Sequence, residues 1–140
     1  MKFKCLKNNL GVTLIELIVV MGIITILGAI LMPNFVGMIS KVRIKSDIES
    51  ARVLNEIISL YEIERGNSLE DKDTKEIFNI LNKEGLLDIK NDKSEPNLQT
   101  DNAEWYFNRN NNLLVIKVHN IKDSIFESLS KEEQKYIIKD

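Results

Sequence analysis

One carboxylate, Glu16, stands inside a stretch that is otherwise free of charge from Leu10 to Ser40. Five residues before it lies Gly11, and before that a short basic segment with Lys2, Lys4 and Lys7. The Gly11–Val12 peptide bond has no side chain on its N-terminal partner and is open to a protease. Cutting there frees an α-amine on Val12, about one helical turn from Glu16. A carboxylate at bilayer depth costs about 2.5–3.5 kcal/mol on insertion scales and is rarely kept without a use. Its natural partner is a cation. In a staggered bundle of copies, the amine of one copy meets Glu16 of the next. Such a pair neutralises both charges where the dielectric is low and penalises misregister. A buried polar group sets register in helix bundles for the same reason.

Competing readings of these residues exist. Glu16 at a helix start also suits the helix dipole or snorkels toward the headgroups. Gly22 and Gly28 suit close packing in any membrane bundle. His119 is the only histidine and has no cysteine nearby, so it reads as a structural or surface residue. Glu70, Asp71, Asp73 and Glu76 form an acidic run without the ligand order of a calcium loop. Trp105-Tyr106-Phe107 reads as alternation along a half-buried strand. Cys5 is the only cysteine. It lacks the preceding apolar run of a lipoprotein signal, and a chain cut after Gly11 has no cysteine for a disulfide. No nucleophile–base pair, phosphate loop or metal-ligand spacing is present. The expectation is a protein without catalysis, cofactor or metal. With a formal net charge of -2, nothing points to nucleic acid.

The 140 residues suit one modest domain plus an extension. Four segments follow from composition. Residues 1–11 form a basic leader. Residues 12–39 are almost continuously apolar and long enough to span a bilayer. Pro33 removes a backbone donor there and is expected to kink the helix. An ordinary secretory signal fits poorly, because the run is too long and no small-x-small site ends it. A plain signal anchor fits better. Residues 40–66 continue as an amphipathic helix, with Ile44, Ile48, Ala51, Leu54, Ile58 and Tyr61 as the buried stripe and Val42, Ile57 and Leu60 alongside. Lys41, Lys45, Asp47, Glu49, Arg52, Glu56 and Glu62 are expected on the solvated faces. The two helical parts make one rod over residues 12–65, about 80 Å long, stopped by Gly66-Asn67.

Residues 67–140 are expected to form a small head. Thr74–Lys83 reads as a helix with Asp73 as N-cap, and 88–102 as a polar loop. Two strands flank Asn108–Asn112 as a hairpin. Ser130 and Glu133 match a capping box opening a last helix that includes Tyr136, Ile137 and Ile138. The fold class is α+β: a long N-terminal helix, first half transmembrane and second half amphipathic, packed on a small head with an antiparallel β-sheet. Lys2, Lys4 and Lys7 are balanced by Lys41, Arg43 and Lys45 beyond the apolar run. Positive-inside counting therefore assigns no orientation.

Gly11, Thr13-Leu14-Ile15-Glu16-Leu17 and the spacing to Pro33 resemble the leader and first helix of type IV prepilins and pseudopilins. That family most often has phenylalanine after the glycine, where this chain has Val12. The resemblance implies cleavage after Gly11 by a prepilin peptidase that also N-methylates Val12. It places the N-terminus in the cytoplasm and the chain in the cytoplasmic membrane as a single-pass precursor. It implies partners: copies of itself and other pilins, an inner-membrane assembly platform and its ATPase. Glu16 takes the role of pairing with a neighbouring subunit's N-terminus, and Pro33 that of the helix kink. The function implied is a structural subunit of a type IV pilus, for adhesion or twitching motility. A pseudopilin of type II secretion or competence DNA uptake is the alternative, and a signal-anchored binding module is a second. Losing Lys2, Lys4 and Lys7 takes the formal charge from -2 to -5 before the new amine is counted, and removes an anchor that resists extraction.

Overall fold

The computed structural model describes residues 12–89 and 94–140, apart from the side chains of Pro33 and Asn34. The leader, Gly11 included, lies outside the described residues. Helix α1 covers Leu14–Arg65, through Pro33. The chain divides into two compact units, one ending at Val36 and the other running Gly37–Asp140. In the second unit, α2 (Thr74–Lys83) follows α1, then β1 (Ala103–Asn108), β2 (Leu113–Val118), α3 (Asp123–Glu127), α4 (Lys131–Gln134) and β3 (Ile137–Lys139).

The helix ends are set by local chemistry. Gly66 takes a φ of +66°, and its N–H donates to Glu62 O, closing α1 where only a residue without Cβ sits comfortably. Gly85, at φ +73°, does the same after α2. Asp73 occupies the N-cap of α2 but makes no side-chain cap bond. The residue stands at the expected N-cap position, and its carboxylate pairs instead with Arg109 at 3.0 Å.

β1 and β2 form the expected antiparallel hairpin, in register Trp105↔Ile116 and Phe107↔Leu114. Asn112 takes φ +50° in the turn, and the Asn108 side chain accepts from Asn110 N–H. The sheet is mixed rather than wholly antiparallel, because β3 joins β2 in parallel, Ile116↔Ile137. This also corrects the expected last helix. Its capping box is present at Ser130 and Glu133, but α4 stops at Gln134. Ile137 then goes to the core as a strand residue. A run of two isoleucines reads equally well as helix or strand, and a neighbouring strand edge decided it.

The core is one cluster. The predicted stripe of α1, Ile44 to Tyr61, is buried against Ile77, Phe78 and Leu81 of α2 and the inward residues of the sheet. Phe78 and Trp105 meet edge to face at 5.8 Å, a geometry that contributes about 0.5–1.5 kcal/mol beyond burial. Val42 and Leu60 are exposed rather than alongside the stripe. β3 pairs only from Ile116 onward, and Asn55 of α1 completes the open edge of β2. Its Nδ2 donates to Leu114 O at 2.7 Å, and its Oδ1 accepts from Leu114 N–H at 2.8 Å. Asp47, expected on a solvated face, is 1% exposed. Its two oxygens accept from the N–H groups of Gln99 (2.8 Å) and Thr100 (2.7 Å). A buried carboxylate is tolerable when its lone pairs are filled in this way.

Glu133 joins α4 to α1. Its Oε2 accepts from Ser130 N–H at 2.7 Å, and its Oε1 from Lys45 Nζ at 2.7 Å. Lys45 and the cap hold its carboxyl down, to about 2. A folded-state value below the unfolded one adds stability above the ordinary glutamate range. That stability disappears as pH falls from about 4.5 toward about 2. Solvent at Lys45 screens the pair, so the contribution is modest. We expect Glu133→Gln to melt below the parent at pH 7 and to converge with it near pH 2, read by Trp105 fluorescence. A gap that stays constant with pH would contradict the assignment.

Candidate membrane and assembly segment

The start of α1 is built by Thr13 and Glu16. Thr13 N–H donates to Glu16 Oε2 at 2.8 Å, and the Thr13 hydroxyl donates to the same oxygen at 2.9 Å. In return Glu16 N–H donates to Thr13 Oγ1 at 3.3 Å. Leu17 N–H closes the first helical bond to Thr13 O at 3.2 Å. This is a capping box, with Thr13 as N-cap and Glu16 at the third helical position. It places the negative charge at the positive end of the helix dipole. The Thr-x-x-Glu spacing of Thr13 and Glu16 is the sequence signal for this cap, and the sequence reading assigns Thr13 no role of its own. Glu16 therefore does not sit unpartnered. Among the described residues, both contacts fall on Oε2, and Oε1 accepts none.

Leu14–Met32 follows as 19 helical residues of mean hydropathy 2.7, none of it buried in the chain. At 1.5 Å per residue it measures about 28 Å, close to the hydrocarbon thickness of a bilayer. Thr25 returns its hydroxyl to Met21 O at 2.7 Å, which satisfies the one hydroxyl within this span without water.

The chain carries a prokaryotic N-terminal methylation motif, matched over residues 6–32. The motif is typical of type IV pilins and pseudopilins, which are structural proteins rather than enzymes. Neither the comparison with curated proteins nor that with solved structures finds a match. The protein is thus prepilin-like, and its motif implies processing by a prepilin peptidase. The apolar helix carrying the motif points to membrane anchoring.

The methylation motif contains Gly22 and Gly28. A Cβ added at either would meet nothing within 4 Å, so no packing inside the chain requires a glycine there. The weaker sequence candidates stay apart from the motif's chemistry. His119 lies just past β2 between carboxylates, its Nδ1 3.1 Å from Asp140 and its Nε2 3.6 Å from Glu104. Glu70, Asp71 and Asp73 are exposed, and among the described residues no three acidic, histidine or cysteine side chains form a metal-binding group. Trp105 and Phe107 are buried and Tyr106 is exposed, the alternation of a half-buried strand.

Proposed function

We propose that this prepilin-like protein is a structural subunit of a type IV pilus, cut after Gly11, N-methylated at Val12 and polymerised through its N-terminal helix. The observation that carries the reading is the unshielded apolar span whose one carboxylate is already fixed in a helix cap. The leader of residues 1–11 keeps the N-terminus in the cytoplasm. The span of residues 12–39 holds the precursor in the cytoplasmic membrane, with Pro33 as a kink. Residues 40–66 and the head at 67–140 are displayed outside.

The capping box sharpens the assembly step. Glu16 keeps its own helix start through Oε2 and offers Oε1 to a cation. Glu133 is a precedent within the same chain: one oxygen serves the Ser130 cap and the other holds the Lys45 ammonium. For Glu16 the cation is the Val12 amine of a neighbouring copy, created only by cleavage. Polymerisation is thereby tied to processing. The assembly platform and its ATPase supply the work of lifting the span from the bilayer.

The test is mass spectrometry of the membrane fraction from cells with an active prepilin peptidase. The expected dominant species begins at N-methylated Val12. Intact peptides covering Met1–Lys7 as the main form would point instead to an uncleaved signal anchor. Antibody-labelled fibres on the cell surface distinguish a pilus from the short filament of a pseudopilin.

A further inference from the structure

Within the unit Gly37–Asp140, a cavity of about 180 Å³ opens beside the start of its helical part. Its floor is apolar, from Ile44, Val118 and Ile121, and its rim carries Arg43, Lys122, His119, Asn102 and Asn120 together with one carboxylate, Asp101, which Arg43 neutralises. Thr100 lines it as well as a second cavity beside Pro96 and Trp105, and its buried hydroxyl has no hydrogen-bond partner among the described residues. A buried polar atom without a partner marks a place where a ligand or water belongs. Arg43 spends Nη1 on the exposed Asp101 at 2.9 Å, which leaves the rest of its guanidinium fork available. Lys122 is exposed, and among the described residues no ion pair engages it.

The surroundings select the ligand. Met38 and Ile39 are exposed apolar side chains one turn before Arg43 on the same helix. Immediately after them come Lys41, Arg43 and Lys45, with no acidic residue before Asp47. Cations and amides over an apolar floor, one turn beyond exposed apolar side chains, suit a phosphodiester carrying a polyol at a lipid surface. We propose that this cavity binds the headgroup of an anionic glycerophospholipid while the precursor is stored in the membrane. Arg43 and Lys122 take the phosphate, and the Thr100 hydroxyl with the two asparagines takes the headgroup hydroxyls. The basic residues beyond the apolar run, which upset positive-inside counting, then have a use outside the cytoplasm. The inference rests on membrane residence and not on filament formation.

The full chain is placed in nanodiscs of phosphatidylglycerol and phosphatidylcholine, and in discs of phosphatidylcholine alone. Amide exchange is followed over residues 118–125, which are far in sequence from the span. Each exposed cation adds about a fivefold preference for an anionic surface, so exchange should slow by roughly that factor in the anionic discs. Lys122→Gln should reduce the difference and the double variant Arg43→Gln/Lys122→Gln should abolish it, while Trp105 fluorescence stays that of the parent. Equal exchange in both discs overturns the inference. So does the same slowing by inorganic phosphate in phosphatidylcholine discs, which would assign the cavity to a soluble anion. A chain that stays out of the discs refutes the membrane-span reading, whereas one that enters with equal exchange refutes only the headgroup site.

Discussion

Glu16→Val is expected to leave the leader cleaved and the head folded, yet reduce incorporation into filaments to background. The substitution removes the only charge in the span, so it makes the segment a better membrane helix. The proposed cleavage at Gly11–Val12 is expected not to need the carboxylate. Two interactions are lost: the Thr13 cap, about 1 kcal/mol at a helix end, and the proposed pairing with a neighbour's Val12 amine. Thr13→Ala separates them, because it weakens the cap and keeps the carboxylate. We expect Thr13→Ala to lower filament yield partially and Glu16→Val to eliminate it. Counting sheared filaments by immunoblot against total processed subunit gives the answer. Equal, partial losses for both variants would reduce Glu16 to a helix cap and remove the intersubunit pair.

Asp47→Ala is expected to be the most damaging single change in the head. It strips the acceptor from two backbone N–H groups, Gln99 and Thr100, that approach at 2.8 and 2.7 Å. Hydrogen bonds to a charged group contribute about 1.5–3 kcal/mol each, so the loss is roughly 3–5 kcal/mol. Domains of this size have about 5–15 kcal/mol in total. Asp47→Asn is milder, roughly 2 kcal/mol, because one carbonyl oxygen must then serve two donors and the amide faces an N–H. The sole tryptophan reports on the same segment, since Trp105 Nε1–H donates to Pro96 O at 2.8 Å. Thermal melts of the full chain in detergent, followed by that fluorescence, should fall by more than about 12 °C for Asp47→Ala. A shift of under about 3 °C would mean that residues 99–100 simply open to water.

These two residues divide what was legible beforehand. Glu16 announces itself, because it is the one charge in a long apolar run. Its spacing to Thr13 carries the cap as well. Asp47 looks like any other acidic residue between Ser46 and Ile48 on an amphipathic helix. Its burial depends on residues 99–100 folding back over the helix more than fifty positions later. Asn55 is similar: a polar residue of no evident role until β3 proves too short to reach Leu114.

Local periodicity by itself determined the apolar span, the stripe of α1, the bounds of α2 and the β1–β2 hairpin, because each is a repeating pattern satisfied by near neighbours. The glycine stops and the Ser130–Glu133 cap belong with them, since their bonds close within a few residues. Tertiary structure decided the third strand, its parallel direction, the buried carboxylate and the cavity beside Arg43. Each of those arises where distant segments must satisfy one another's backbone groups, and no short-range pattern encodes which segment will arrive.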